Sequence, residues 1–225
     1  MPKIPYVSVV LPTWNERENI SMVIPGIKKV LAGYKYEIII VDRHSDDGTA
    51  KMASRLGAKV IYDDIGKGSA LMKGLAMAKG DILISMDADL SHEPKEFRLL
   101  IAGIETGYDI CMGSRFITGG GSDDMPGLRR FGNKVFVFLV NAFFGANYSD
   151  LCYGYRSFRK GALKKLGLKE RGFGIETEIN IKAIKNRLKV LEVPSMEKKR
   201  GAGEGKLHTF RDGYVILSTI FRNLR

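Results

Sequence analysis

Along the first half of the chain, apolar residues fall in short unbroken blocks rather than in strict alternation. "VSVVL" (7–11), "EIIIV" (37–41), "AKVIY" (58–62), "ILISM" (82–86) and "DICMG" (109–113) have the pattern of strands buried on both faces. Between them, the stretches at about 17–32, 48–56, 67–79 and 94–106 carry helical spacing. This alternation predicts βαβ units, hence an α/β fold with a mostly parallel sheet and helices on both faces. Such sheets bind ligands at the carboxyl ends of their strands. The polar clusters "PTWNERE", "DRHSDDGT", "DDIGKG", "DADLSH" and "GSRF" follow the strands one after another, so five loops converge on one crevice.

After residue 115 the rhythm changes. The Gly- and Asp-rich "ITGGGSDDMPG" (117–127) reads as a mobile loop, and "LRRFGNKVFVFLVNAFFG" as a long apolar helix entered through two arginines. A helix over 175–187, a strand over 189–194 and a second mobile loop, "KKRGAGEGK" (198–206), follow. In the last stretch, Phe210, Tyr214, Leu217, Phe221 and Leu224 recur at helical intervals among Arg211, Arg222 and Arg225. With no internal repeat and no clear linker, the expectation is a single domain over 1–225 with an amphipathic C-terminal helix at about 207–225.

Composition narrows the class. Apolar residues make up 44% and charged residues 27% of 225, which suits an ordered globular chain rather than a disordered one. No run approaches the roughly 18 apolar residues of a spanning helix, and no charged-then-apolar leader opens the chain, so a soluble intracellular protein is expected. Cys111 and Cys152 lack metal-type spacing and read as ordinary thiols. The excess of 36 Lys and Arg over 25 Asp and Glu gives +11 and predicts an anionic partner. Nucleic acid, anionic lipid and phosphorylated substrates all satisfy that charge.

Asp87 and Asp89, one residue apart at the end of "ILISM", project to one side of an extended chain. Beside a diphosphate, such a pair shares a divalent cation; alternatively, Asp89 or Ser91 caps the helix that starts near Glu93 and Pro94. "GKGSALMKG" (66–74) matches neither phosphate-loop pattern, since Leu71 takes the third glycine's place. A glycine-rich helix start with Lys67 nonetheless suits an anion as well as it suits a plain turn. His44, His92 and His208 are isolated, and no Ser/His/Asp or zinc constellation exists.

Taken in order, "LPTWNERENI", "IIIVDRHSDDGT", "GKGSALMKGL", "MDADLSHEP", "GSRF", the "LRR" pair, "DLCYGYRSFRK" and "KVLEVP...KKRGAGEGKL" resemble the family-2 glycosyltransferases. The polyprenyl-phosphate branch, of the dolichyl-phosphate mannosyltransferase type, is the nearest, and the resemblance covers nearly the whole chain. It implies a GT-A, Rossmann-like fold that binds a nucleotide-diphosphate sugar. Pro12, Trp14 and Glu16 would line the base pocket, with Asp42, Lys67, Asp87 and Ala88 also on the donor side. Asp89, with Ser91, would ligate Mg²⁺ or Mn²⁺. Arg115, Arg129 and Arg200 would handle phosphates through the guanidinium fork, and Asp150 would lie near the reaction centre. Arg130, Asn133 and Lys206 fall on the acceptor side. Of Glu176 and Glu178, which cannot share a helix face, Glu178 matches the recurrent family position.

Three positions depart from the family. Arg43 and His44 replace an aspartate and an asparagine; arginine has no acceptor for the imide N–H of a base, so base recognition differs. Ser91 replaces a metal-contacting glutamine, and Asn133 replaces a serine. The resemblance implies inverting transfer of a sugar, from GDP-mannose or a UDP-hexose, to dolichyl or polyprenyl phosphate. A lipid phosphate is largely ionised at neutral pH and hardly needs a base. Asp150 is therefore expected to position groups rather than abstract a proton. The C-terminal helix either packs on the domain or rests on an anionic membrane, which would make the protein peripheral on the cytoplasmic face. Competing expectations are a family-2 enzyme acting on a saccharide or protein hydroxyl, and a basic binding module. Nucleic acid is not an expected partner, because aromatic-basic interleaving is lacking.

Overall fold

The apolar blocks become the centre of a seven-stranded sheet in the computed structural model, which describes residues 4–224. The strands are β1 (Tyr6–Thr13), β2 (Lys35–Asp42), β3 (Lys59–Tyr62), β4 (Ile82–Ser85), β5 (Ile110–Ser114), β6 (Gly121–Ser122), β7 (Arg156–Arg159), β8 (Val190–Pro194) and β9 (Met196–Glu197). The main sheet runs β3-β2-β1-β4-β7-β5-β8, while β6 and β9 pair separately. All neighbours are parallel except β7, which lies antiparallel between β4 and β5. This is the predicted mostly parallel α/β sheet with one reversed strand inserted.

The helices are α1 (Arg17–Val30), α2 (Thr49–Arg55), α3 (Lys67–Met77), α4 (Phe97–Glu105), α5 (Gly127–Phe144), α6 (Lys160–Leu166), α7 (Ile175–Lys185) and α8 (Thr209–Arg222). One core joins α1, α2 and α4 to one face of the sheet through Ile20, Ile24, Ile27, Phe97 and Ile101. A second joins α3, α6 and α7 to the opposite face through Leu71, Leu75, Leu166 and Ile179. Burying both faces explains why the strands are apolar without alternation. A third cluster, around Val140, Tyr148, Leu151, Ile216 and Ile220, seats α5 and α8 beside the sheet.

Two stretches read as loops prove to be structured. Residues 117–127 contain β6, whose pairing with β9 registers Gly121 on Met196. The 198–206 segment has no regular structure, yet it is tied down: the Lys198 N–H donates to the Ser91 carbonyl and the Gly201 N–H to the Asp89 carbonyl, both at 2.9 Å. Strand β7 and helix α6 were not foreseen. α8 presents a different face from the one its sequence suggests, burying Asp212, Ile216, Thr219 and Ile220. Phe210 and Tyr214 of the expected stripe stay 82% and 73% exposed.

Candidate active site

Parallel register brings the carboxyl ends of β1, β2 and β4 to one edge, where Thr13 faces Asp42 and Val10 faces Ser85. The polar loops converge there as the alternation predicted. Asp42 is wholly buried and occupied: Oδ1 accepts from the Thr13 and Ser45 hydroxyls at 2.9 and 2.7 Å, and Oδ2 from the Ser45 N–H at 2.8 Å. It shapes the loop after β2.

Asp87 follows β4 and meets Lys67 from the start of α3, with Nζ 2.9 Å from its carboxylate and 3.0 Å from Glu176 on α7. Burial disfavours the charge on Lys67, but the two carboxylates outweigh that and raise its pKa. Burial likewise opposes ionisation of Asp87, and Lys67 and then His92 outweigh it, so its pKa falls. Gly154 lies against this junction, 3.4 Å separating the place of a Cβ there from each of Asp87, Glu176 and Lys67. Gly68 is needed for close approach: a Cβ would lie 2.5 Å from the Glu170 carbonyl oxygen. His92 is buried, accepts the Asp87 N–H at Nδ1 (3.0 Å) and stacks on Tyr155 at 4.7 Å. Burial pushes its pKa down, keeping the imidazole neutral.

Asp89 is engaged at both oxygens. Oδ1 accepts from Ser91 Oγ (2.6 Å) and the Ser91 N–H (3.1 Å), a local turn; neither Asp89 nor Ser91 caps the helical turn at 94–96, whose N-cap position is Glu93 with no side-chain capping hydrogen bond. Oδ2 accepts from Arg200 Nη1 at 3.1 Å. The other guanidinium nitrogen of Arg200 pairs with Glu16, so one arginine spans two residues expected to serve the donor. Burial comes first in raising the Glu16 pKa, against the pull of Arg200. Ala88, between the two aspartates, is buried at 3% exposure.

Trp14 lies under two cations: Arg43 is 4.5 Å and Lys206 4.9 Å from the ring centroid. Pro12 sits at the end of β1, opposite Val41. At the far side of the crevice, Arg115 clasps Asp150 through Nε (2.7 Å) and Nη2 (2.9 Å), and its Nη1 reaches Glu197 on β9 at 3.0 Å. Arg129 and Arg130 open α5. The first donates to the Leu207 carbonyl at 3.0 Å, and the second lies 5.9 Å from the Phe116 ring. Asn133, about one turn further along α5, is buried; its Oδ1 accepts the Leu151 and Cys152 N–H groups, both at 3.2 Å, and so steadies the turn that carries Asp150.

Several participants escaped the sequence reading. Glu176, not Glu178, reaches the crevice; Glu178 instead accepts the Lys169 and Glu170 N–H groups at 2.9 and 2.8 Å and pairs with Lys182. That one of two carboxylates on α7 points away follows from their helical phase. Which one does so depends on where α7 docks, and no local signal carries that. Glu197 and Asn19 were likewise invisible, because their partners lie 82 and 183 residues away.

Among the described residues, no group of three metal-ligating side chains converges. A divalent cation is nevertheless compatible with Asp89: a positive group already sits on its Oδ2, and a diphosphate supplies the remaining oxygens that hard cations need.

A mostly parallel sheet with an Asp-X-Asp turn past its central strand and cations closing over that turn is the GT-A arrangement of nucleotide-sugar-dependent transferases. The chain belongs to Glycosyl transferase family 2, whose model matches residues 8–167. It is 36% identical over 209 residues to a dolichol-phosphate mannosyltransferase of Pyrococcus furiosus, covering 89% of this chain and 59% of that protein. A polyprenol monophosphomannose synthase of Mycolicibacterium smegmatis is 30% identical over 213 residues, covering 88% and 80%. In fold, the chain resembles the glucosyl-3-phosphoglycerate synthase of Mycobacterium tuberculosis in complex with Mn²⁺, UDP and glucosyl-3-phosphoglycerate, with TM-score 0.76, 22% identity and coverage of 98% and 80%. The mannosyl-3-phosphoglycerate synthase of Rubrobacter xylanophilus gives TM-score 0.79 at 20% identity, covering 98% and 74%.

Proposed function

We propose that the protein is an inverting glycosyltransferase that moves one hexosyl group from a nucleoside-diphosphate sugar to dolichyl or another polyprenyl phosphate. The observation that carries this reading is the state of Asp150. Both its oxygens are committed to Arg115, so neither is free to meet a hydroxyl acceptor. A phosphate acceptor brings its own charge and needs three things: orientation, cations and an exit for the leaving group. The names of the Pyrococcus and Mycolicibacterium relatives support the same acceptor class.

On this reading, Pro12, Trp14 and Glu16 border the nucleotide, and Asp87, fixed by Lys67, contacts the nucleotide side as well. Asp89 would hold Mg²⁺ or Mn²⁺, which supplies charge neutralisation for the departing nucleoside diphosphate. Arg115, whose three guanidinium nitrogens already face Asp150 and Glu197, fixes that wall of the crevice, and a phosphate there would share its charge with those two carboxylates. Arg129 and Arg130 add positive charge on the acceptor side, whereas Lys206, expected there, lies over Trp14 and adds its charge on the nucleotide side. Catalysis then rests on alignment of the acceptor oxygen with the anomeric carbon.

The reading includes peripheral contact with the cytoplasmic face of a membrane. No helix among the described residues is long and apolar enough to cross one. Support for the contact lies on α5, where Leu128, Phe131, Val135 and Phe138 form an outward stripe at 55%, 66%, 37% and 69% exposure. α8 continues it, with Phe221 6.2 Å from Phe143. Arginines and Lys134 border these rings, the composition of a helix pair lying in an anionic interface. The test is incubation with radiolabelled GDP-mannose and UDP-hexoses, dolichyl or undecaprenyl phosphate, and Mn²⁺. A lipid-linked product supports the reading, and none with any donor refutes it.

A further inference from the structure

The 198–206 segment lies across the groups proposed to serve the donor, and its contacts are specific. Arg200 ion-pairs with Glu16 and, at 3.1 Å, with Asp89. The Gly201 N–H donates to the Asp89 carbonyl at 2.9 Å, and a Cβ on Gly201 would come within 2.5 Å of Leu90 Cδ1. Lys206 closes the far end over Trp14. Between these ends, Asn19 of α1 grips the backbone of Ala202 twice: its Oδ1 accepts the Ala202 N–H at 2.9 Å and its Nδ2 donates to the Ala202 carbonyl at 3.1 Å. The same Nδ2 lies 2.6 Å from Glu16 Oε2, and Asn19 is 1% exposed. A buried amide spent on the N–H and carbonyl of one residue in a distant loop is a latch rather than a solvated contact.

A divalent cation held by Asp89 would draw on the Oδ2 lone pairs that Arg200 Nη1 now engages. A guanidinium is a single positive charge with fixed donors, and it satisfies the carboxylate as a metal would. We infer that the 198–206 segment is a strap that seals the donor site in the ligand-free protein, with Arg200 standing in for the metal at Asp89 and Asn19 acting as the positioning residue that latches it. This rests on the proposed donor site. Entry of a metal–diphosphate displaces Arg200 from Asp89, and the freed guanidinium then faces the phosphates that displaced it. The cation is exchanged rather than added, so Asp89 never stands unneutralised beside the Lys67-paired Asp87. The metal therefore binds weakly without a nucleotide, because it must compete with an internal cation.

Mn²⁺ binding is measured by electron paramagnetic resonance on the full chain, with no nucleotide present, for the wild type, Arg200→Gln and Asn19→Ala. Removing one charge-assisted contact that competes for the site should tighten Mn²⁺ about tenfold in Arg200→Gln. Asn19→Ala, which keeps the guanidinium but frees the strap, should fall between that variant and the wild type. Arg200 sits at the edge of the crevice, so Arg200→Gln decides the matter even if the buried Asn19 variant fails to fold. Equal or weaker Mn²⁺ binding in Arg200→Gln overturns the strap while leaving the transferase reading intact. Absence of Mn²⁺ binding to every protein, with nucleotide added as well, overturns both the stand-in and the metal assignment.

Discussion

Arg115 and Asp150 form a two-point pair, Nε to Oδ2 at 2.7 Å and Nη2 to Oδ1 at 2.9 Å, with their side chains 6% and 0% exposed. Both partners are out of water, so each is costly to leave alone. Asp150→Ala should therefore destabilise the protein by about 3–5 kcal/mol, read from urea unfolding. Asp150→Asn preserves shape but loosens Arg115, and transfer to a lipid phosphate should persist at a rate reduced by about 10²-fold. Complete loss of transfer in a folded Asp150→Asn protein would point instead to proton abstraction and a hydroxyl acceptor.

Acid sensitivity should follow His92. Its pKa in the folded protein lies below the ordinary 6.5, burial being the main cause, with the Asp87 and Asp89 charges opposing and Lys67 assisting. As pH falls below about 6.5, the unfolded chain takes up a proton that the folded chain refuses, so stability declines with acidification and is recovered above that value. Asp87 acts in a lower window: its depressed pKa contributes stability above its unfolded value, lost as pH falls toward about 2. Urea unfolding between pH 8 and 5 should show the first decline, and His92→Gln should flatten it.

Chelation tests the metal. EDTA should abolish sugar transfer and Mn²⁺ should restore it, whereas Asp89→Ala should resist restoration. Ser91→Ala should behave more mildly. The Ser91 hydroxyl is directed at Asp89 Oδ1, 2.6 Å away, so its removal should cost about 1 kcal/mol of stability and spare most of the activity. A Ser91→Ala enzyme as dead as Asp89→Ala would make the hydroxyl a direct metal ligand.

Phe131 and Phe138 offer a test independent of chemistry. Each ring fully transferred from water contributes about 1.5–3 kcal/mol, so Phe131→Glu with Phe138→Glu should weaken co-sedimentation with anionic vesicles by at least about 10²-fold. Added salt should weaken the wild type as well, through its arginines. Unchanged binding would move the membrane face elsewhere.

The parallel strands, the first four helices and the crevice were legible because both-face burial writes itself into unbroken apolar blocks. β7 was not legible, since "RSFR" opens with Arg156, which is fully buried yet charged in type. Its place in the sheet depends on Asn180 Oδ1 and the Tyr153 carbonyl accepting its guanidinium at 2.9 and 2.5 Å, partners that tertiary packing alone supplies. The turn at Asp87–Ser91 was readable as a cap or a metal site; the structure shows Asp89 closing its own turn on Ser91, no side-chain cap on the helical turn that follows, and a carboxylate oxygen that a cation already holds. The resemblance puts Trp14 in the base pocket, but the two cations over it come from residues 43 and 206, a pairing that no local pattern announces. The strap was missed for the same reason: glycine and lysine in sequence suggest freedom, while Asn19 and Asp89 supply anchors from elsewhere.

The reversed strand β7 sets an order of assembly. On a ribosome, β1 to β5 emerge first, yet β4 and β5 cannot pair with each other, because the slot between them belongs to residues 156–159. Until that segment arrives, the nascent sheet has two raw hydrogen-bonding edges at its centre, the feature that invites adhesion between chains. Synthesis halted at residue 155 should yield a chain that clumps or clings to chaperones, whereas one extended through α7 should become protease-resistant. Closing the sheet also draws together Gly154, Arg156 and the start of α7, so the Lys67–Asp87–Glu176 junction can form only once that gap is filled.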